Sequence, residues 1–175
     1  MNKSADDFLM NWYVTRDLMC TSQLDYLMVV SLYYIGYGIG ISLFFIPDYF
    51  GRKVAMNATL PINIGGSALI VFSRNLNLMK LGAFITGMFH VKTTCSFTHA
   101  VELVPDKYKT RTVVMINAIY FSCMVLVGMF YLLVAADTDI LLSTYLYIAI
   151  IASLLYIGFV PESPYWLVRN EGPNS

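Results

Sequence analysis

The chain has 175 residues and no net charge, with 11 basic side chains against 11 acidic ones. Hydrophobic residues make up 58% of it and charged residues 13%, where a soluble domain carries about a quarter charged, so a soluble enzyme and a disordered chain are both excluded. The balanced charge removes the electrostatic case for nucleic acid. Three scattered cysteines, without CxxC or Cys/His spacing, give neither a disulfide framework nor a zinc site.

Residues 1–23 are polar, carry Asp6, Asp7, Arg16 and Asp17, and lack the apolar core of a signal peptide; they read as an extracellular loop or tail. Beyond them the hydrophobic runs decide the class. A helix needs about 20 predominantly apolar residues to cross the hydrocarbon of a bilayer. Stretches at 24–46, 55–72, 79–101, 112–135 and 140–160 meet that requirement. Each is bounded by turn or charge signals: Pro47-Asp48, Ser73-Arg74-Asn75, Pro105-Asp106, Asp137-Thr138-Asp139 and Pro161-Glu162. Helices of a soluble bundle show a polar face, and these mostly do not. The expected fold class is all-α, a polytopic membrane protein with five transmembrane helices over 24–160 and a polar segment at 161–175.

The loops orient the spans. Arg52 and Lys53 follow the first, and Lys107, Lys109 and Arg111 follow the third. Arg74 and Lys80, then Asp137 and Asp139, fall on the other side. The positive-inside rule places 47–54, 102–111 and 161–175 in the cytoplasm and the amino terminus outside. An outside terminus without a signal peptide implies one further helix ahead of this sequence, so a fragment or shortened product is expected.

Within the spans, Gly36 and Gly40 form a G-x-x-x-G, and Gly65, Gly66 and Ser67 cluster in the second; small residues let helix backbones approach closely. Tyr26, Tyr33 and Tyr37 recur at helical spacing, suited either to packing or to a cation–π contact. The third span is the most informative. At 100° per residue, Lys92, Cys95, Ser96, His99 and Glu102 share one stripe, and His90 and Lys92 sit near mid-span. An exposed charge at that depth costs at least about 2.5–3.5 kcal/mol, so Lys92 must face a polar cavity, meet a partner carboxylate or stay neutral. His90, Lys92, Ser96 and His99, with Asn117 in the fourth span, are the candidate solute-pathway residues.

Enzyme readings find little. His99-x-x-Glu102 offers two ligands on one helical face where a catalytic zinc wants three, and there is no G-x-S-x-G, Walker loop or strand-borne G-x-G-x-x-G. No metal, no other cofactor and no catalytic residue is expected. Asn57-Ala58-Thr59 matches a glycosylation acceptor that the cytoplasmic assignment makes silent.

Four loop motifs then carry a resemblance. Asp48-Tyr49-Phe50-Gly51-Arg52-Lys53 resembles the D-R-x-G-R-K/R loop of the major facilitator superfamily. The stretch from Glu102 through Pro105 and Tyr108 to Lys109 is similar to that family's E-x-x-P-x-x-Y-R element. Pro161-Glu162-Ser163-Pro164-Tyr165-Trp166-Leu167 is similar to the P-E-S-P-R-W-L of its sugar and organic-ion branches, and Arg16-Asp17-Leu18-Met19-Cys20 resembles the end of the external loop in organic-cation transporters. The departures are Phe44 and Pro47 ahead of Asp48, Tyr49 and Tyr165 where the family has Arg, and Ala83 where many members carry Arg; they weaken the cytoplasmic charge network and leave the fold untouched.

The resemblance implies that the five spans are helices two to six of a twelve-helix transporter, whose helix one and second six-helix half lie outside this sequence. It implies transport of a small organic solute, a sugar or an organic ion, by alternating access in the plasma membrane. Asp48, Gly51, Arg52, Lys53, Glu102, Lys109, Arg111 and Glu162 become gating-loop residues. Gly51 permits a tight turn with positive φ; Asp48 can accept charge-assisted hydrogen bonds from Arg52, Lys109, Arg111 or helix-end amides, and a gating clasp between it and the basic groups of 102–111 is expected. The competing expectation is a truncated, non-transporting membrane protein that serves as an interaction or regulatory module. In either case the partners are the lipid bilayer and, for the carrier, a small-molecule solute.

Overall fold

The computed structural model describes residues 21–133 and 138–171. The Arg16–Cys20 motif, most of the 1–23 tail and Asp137 therefore lie outside the described residues. Among those described, every regular element is helical. Helix α1 (Gln23–Ser42) opens at Ser22, whose hydroxyl accepts from the Asp25 N–H at 3.2 Å, satisfying a donor that a helix start leaves free. A short helix α2 (Ile46–Phe50) follows, with Pro47 in its first turn, where a missing N–H costs nothing. Gly51 then joins α2 to α3 (Arg52–Phe72) at φ 97°, a left-handed backbone that a side chain would strain.

Helix α4 (Leu76–Met88) starts at Asn75, whose side chain accepts from the Asn77 N–H at 2.9 Å. It ends in a 3₁₀ turn, Phe89–Val91, and the chain continues as α5 (Lys92–Glu102). Helix α6 (Asp106–Leu133), α7 (Thr138–Phe159) and the short α8 (Pro164–Glu171) complete the order.

Four helices among the described residues, α1, α3, α6 and α7, are long and apolar enough to cross a membrane. The fifth expected span, 79–101, exists as two shorter helices, because the 3₁₀ turn interrupts it. The five expected spans are thus four uninterrupted helices and one interrupted one. The break contains no proline. It falls where the Gly87 backbone abuts α1 and where the His90 Nδ1 meets the Tyr33 hydroxyl at 3.0 Å, so a tightened turn is fixed from outside the helix.

Helix α4 lies against both α1 and α3, α3 also meets α5 and α7, and α6 packs chiefly on α5. Little of the bundle is buried. Met56, Leu60 and Cys95, flanked by Phe44 and Tyr156, form its small core. Helix α6 has no buried residue over Asp106–Phe130, and Ile119, Phe121, Val125 and Leu126 are among its exposed apolar side chains. Hydrocarbon tails are as apolar as leucine, so such faces need no protein cover in a bilayer.

Candidate functional site

The loops and the interrupted helix build two polar regions. At the α2–α3 end, Gly51 starts α3 so that Arg52 is its first residue, aimed back across the bundle. Arg52 bonds Glu102 twice, Nε to Oε2 at 2.8 Å and Nη2 to Oε1 at 2.8 Å, which is the two-pronged guanidinium–carboxylate geometry. It also reaches Asp48 Oδ1 at 3.2 Å and the Thr98 hydroxyl at 3.3 Å. The side chains of Arg52 and Glu102 are 13% and 19% exposed, whereas Asp48 is 47% exposed. The pair with Glu102 is thus shielded and the pair with Asp48 is largely wet.

The P-E-S-P turn closes this region from the other side. The hydroxyl of Ser163, a fully buried residue, donates to Glu102 Oε2 at 2.6 Å. Glu162 Oε1 accepts from the backbone N–H of Lys53 at 2.9 Å and of Ser163 at 3.0 Å. A carboxylate at the first turn of α3 is favoured by that helix's positive end. A Cβ on Gly51 would stand 2.9 Å from Glu162 Oε2, so this glycine meets both the φ and the space that the contact demands.

This differs from the expected clasp between Asp48 and the basic residues of 102–111. Asp48 pairs with Arg52, four residues on across the Gly51 turn, and the side chain that the 102–111 region contributes is the acid Glu102. Lys109 turns along its own helix to Asp106 at 2.6 Å, and Arg111 is exposed on α6. The contribution of Lys53 is its backbone N–H. Ser163 and Thr98 were not singled out from the sequence, since a serine in a turn and a threonine in a helix carry no signal until a carboxylate and a guanidinium are brought to them.

The second region is a cavity of about 620 Å³ between α3, α5 and α6. Lys92 and Ser96 of α5 and Asn117 of α6 line it, together with Thr93 and Thr94. The Lys92 ammonium donates to Asn63 Oδ1 on α3, and the Asn63 amide nitrogen donates to the Thr86 carbonyl at 3.2 Å. Asn63 went unnoticed in the sequence, although an asparagine in mid-span, like the lysine, has to find a partner.

The expected single polar stripe is divided. Lys92 and Ser96 face the cavity, but Cys95 and His99 point into the core at 2% and 1% exposure, and Glu102 faces Arg52. A stripe that wide spans more arc than one cavity, and neighbouring helices claim its edges. His99 Nδ1 meets the Tyr156 hydroxyl at 2.5 Å. His90 is likewise not among the cavity's lining residues. Two residues before Lys92, it lies on the opposite side of the helix, between Tyr33 and Tyr37 at ring distances of 5.9 and 5.5 Å. Those two tyrosines therefore anchor α1 to the 3₁₀ turn.

The profile of the sugar (and other) transporter family matches residues 2–173. The chain belongs to that family. It is 25% identical over 93% of its length to mouse solute carrier family 22 member 21, and 23% identical over 94% to human organic cation/carnitine transporter 2. Rabbit solute carrier family 22 member 2 is 29% identical over 87% of the chain. The match covers 27–30% of these relatives, so the chain spans less than a third of their length. The family and the long apolar helices together make the chain an integral membrane protein of the sugar and organic-ion transporter kind.

Proposed function

We propose that this chain forms part of a solute carrier that moves a small organic solute across the plasma membrane by alternating access. The observation that carries the reading is the cavity between α3, α5 and α6, into which a mid-span lysine, a serine and an asparagine converge. A membrane helix that needs only to pack has no use for an ammonium at that depth. Asp48, Arg52, Glu102, Glu162 and Ser163 form a latch at one end, made in this state and released when the ends of α3, α5 and α7 separate. Asp48→Asn shifts the balance of open and closed states, and in uptake measurements it alters rate more than abundance.

In this reading the latch and residues 161–175 face the cytoplasm and the 1–23 tail faces outside, as the loop charges direct. Cysteine labelling of intact cells distinguishes the sides: position 74 is labelled from outside and position 53 is not. External labelling at 53 alone inverts the assignment.

The test of transport is uptake of radiolabelled organic cations, organic anions and hexoses by cells expressing the protein. Lys92→Ala removes uptake of the accepted solute, with surface abundance near that of the wild type. No uptake of any solute by the wild type would leave a membrane interaction module as the surviving account. Uptake untouched by Lys92→Ala would move the solute route to other helices.

A further inference from the structure

We propose that His99 and Tyr156 are positioning residues: their bond pins the rotation of α5 about its own axis and so decides that Lys92 and Ser96 face the cavity. This deepens the carrier reading and rests on it for the effect on uptake.

Three observations lead there. First, the bond closes a triangle of helices. Helices α5 and α7 each lie against α3. The His99 Nδ1 and the Tyr156 hydroxyl, 2.5 Å apart with their rings edge to face, join those two helices to each other. His99 is 1% exposed, so this chain's own side chains enclose it. Second, the pin and the cavity face share a line on α5. Lys92 precedes His99 by two turns at about 3.6 residues per turn, so the two lie almost above one another. Whatever fixes the direction of His99 fixes that of Lys92. Met56 and Leu60 of α3 line the cavity and also form the core beside Cys95, so the pinned part of α5 adjoins the cavity wall.

Third, the chemistry selects one rotation. Cys95 and His99 are the buried residues of α5. An apolar pair in place of His99 and Tyr156 would fill the same space, but apolar packing of the right volume loses uniqueness before it loses stability. A hydrogen bond has a narrow geometry, and a buried polar group is costly to leave without it. Turning α5 breaks the bond and strands two polar groups in an enclosed site. The bond therefore penalises every setting of the helix but one.

The test separates orientation from stability, with Cys95 as a native reporter. It is 2% exposed and lies one turn before His99 on the same side of α5, while the exposed Cys123 controls for access of the reagent. The purified protein in nanodiscs is treated with N-ethylmaleimide, and labelling at each cysteine is followed by mass spectrometry. The double variant His99→Leu with Tyr156→Phe replaces the bond by an apolar pair. Its thermal midpoint should stay near that of the wild type, while Cys95 labels about tenfold faster, the factor that one hydrogen bond supplies. Tyr156→Phe alone should raise the labelling likewise, and His99→Asn, which keeps a polar atom where Nδ1 stands, should leave it low. In expressing cells, the double variant should show a raised KM for whichever radiolabelled organic cation, organic anion or hexose the wild type takes up, at unchanged surface abundance. Cys95 as protected in the double variant as in the wild type overturns the pin and leaves the carrier reading standing. So does labelling that rises only in step with a fall in the thermal midpoint, which marks an ordinary structural bond. A wild type that takes up none of the solutes overturns the carrier reading, and the labelling still decides the pin. Where the double variant does not fold, the contrast between Tyr156→Phe and His99→Asn decides: equal labelling in the two overturns the pin.

Discussion

Helices α4 and α5 continue one another through the turn at Phe89–Val91, yet they are fastened to their neighbours by different chemistry. Along α4 the contacts are backbone against backbone. A Cβ on Gly36 would overlap the Phe84 carbonyl oxygen, one on Gly40 the Met88 carbonyl oxygen, and one on Gly87 the Tyr33 carbonyl oxygen, so α1 and α4 touch at a separation only glycine allows. On the α3 side, a Cβ on Gly82 would stand 2.7 Å from the Gly66 carbonyl oxygen. Along α5 the fastenings are polar: Lys92 to Asn63, Thr98 to Arg52, His99 to Tyr156 and Glu102 to both Arg52 and Ser163. In lipid, where apolar contact between helices has little advantage over contact with acyl chains, close dispersion packing and hydrogen bonding are the two remaining means of association. Bonds of the second kind can be exchanged for bonds to water, which close backbone contact cannot.

Five substitutions probe that contrast. The largest loss is expected at Gly87→Ala, which drives a methyl into the Tyr33 backbone, where neither helix has a flexible side chain to yield; overpacking of this kind costs at the upper end of about 1–3 kcal/mol. Thermal unfolding of the detergent-solubilised protein should show a clear drop, whereas Gly38→Ala, with no atom within 4 Å of the added methyl, should leave the transition in place. Equal losses at 38 and 87 would dissolve the distinction between a packed and an unpacked glycine. Next comes Arg52→Gln, which leaves Glu102 facing Ser163 alone and costs about 2 kcal/mol, the worth of hydrogen bonds to a charged group. In cysteine-accessibility measurements the same variant should expose position 98 of α5 while leaving position 84 of α4 protected. Protection lost equally at both positions would mean that the two helices move as one.

Ser163→Ala removes one bond to Glu102 and should cost about 1 kcal/mol, read as a modest shift in the denaturation midpoint. Smallest of all is Asp25→Asn. Its pair with Lys80 at 2.6 Å joins α1 to α4, but the carboxylate is 44% exposed, so the change should be within about 0.5 kcal/mol. A loss there rivalling that at Gly87 would show that charge, not backbone contact, holds α1 to α4.

The sequence by itself determined the class and the order of the long apolar helices, because both depend on local chemistry. Apolar runs of about 20 residues have no stable place except across hydrocarbon, and Pro47, Gly51 and Asn75 mark boundaries by their own backbone demands. The G-x-x-x-G of Gly36 and Gly40 was equally legible as a packing face, though not its partner at Gly87. Only the tertiary structure decided which polar residues meet. Whether Lys92 finds Asn63 or an acid, whether Asp48 is answered by Arg52 or by Lys109, and whether His99 faces cavity or core all depend on how α3, α5 and α7 are rotated about their axes. Periodicity places residues on a face of a helix, but it does not say what lies opposite that face. The interruption at Phe89–Val91 was hidden for the same reason: its sequence is apolar and free of proline, and the tightened turn is held by Tyr33 and Tyr37 of a helix more than fifty residues earlier.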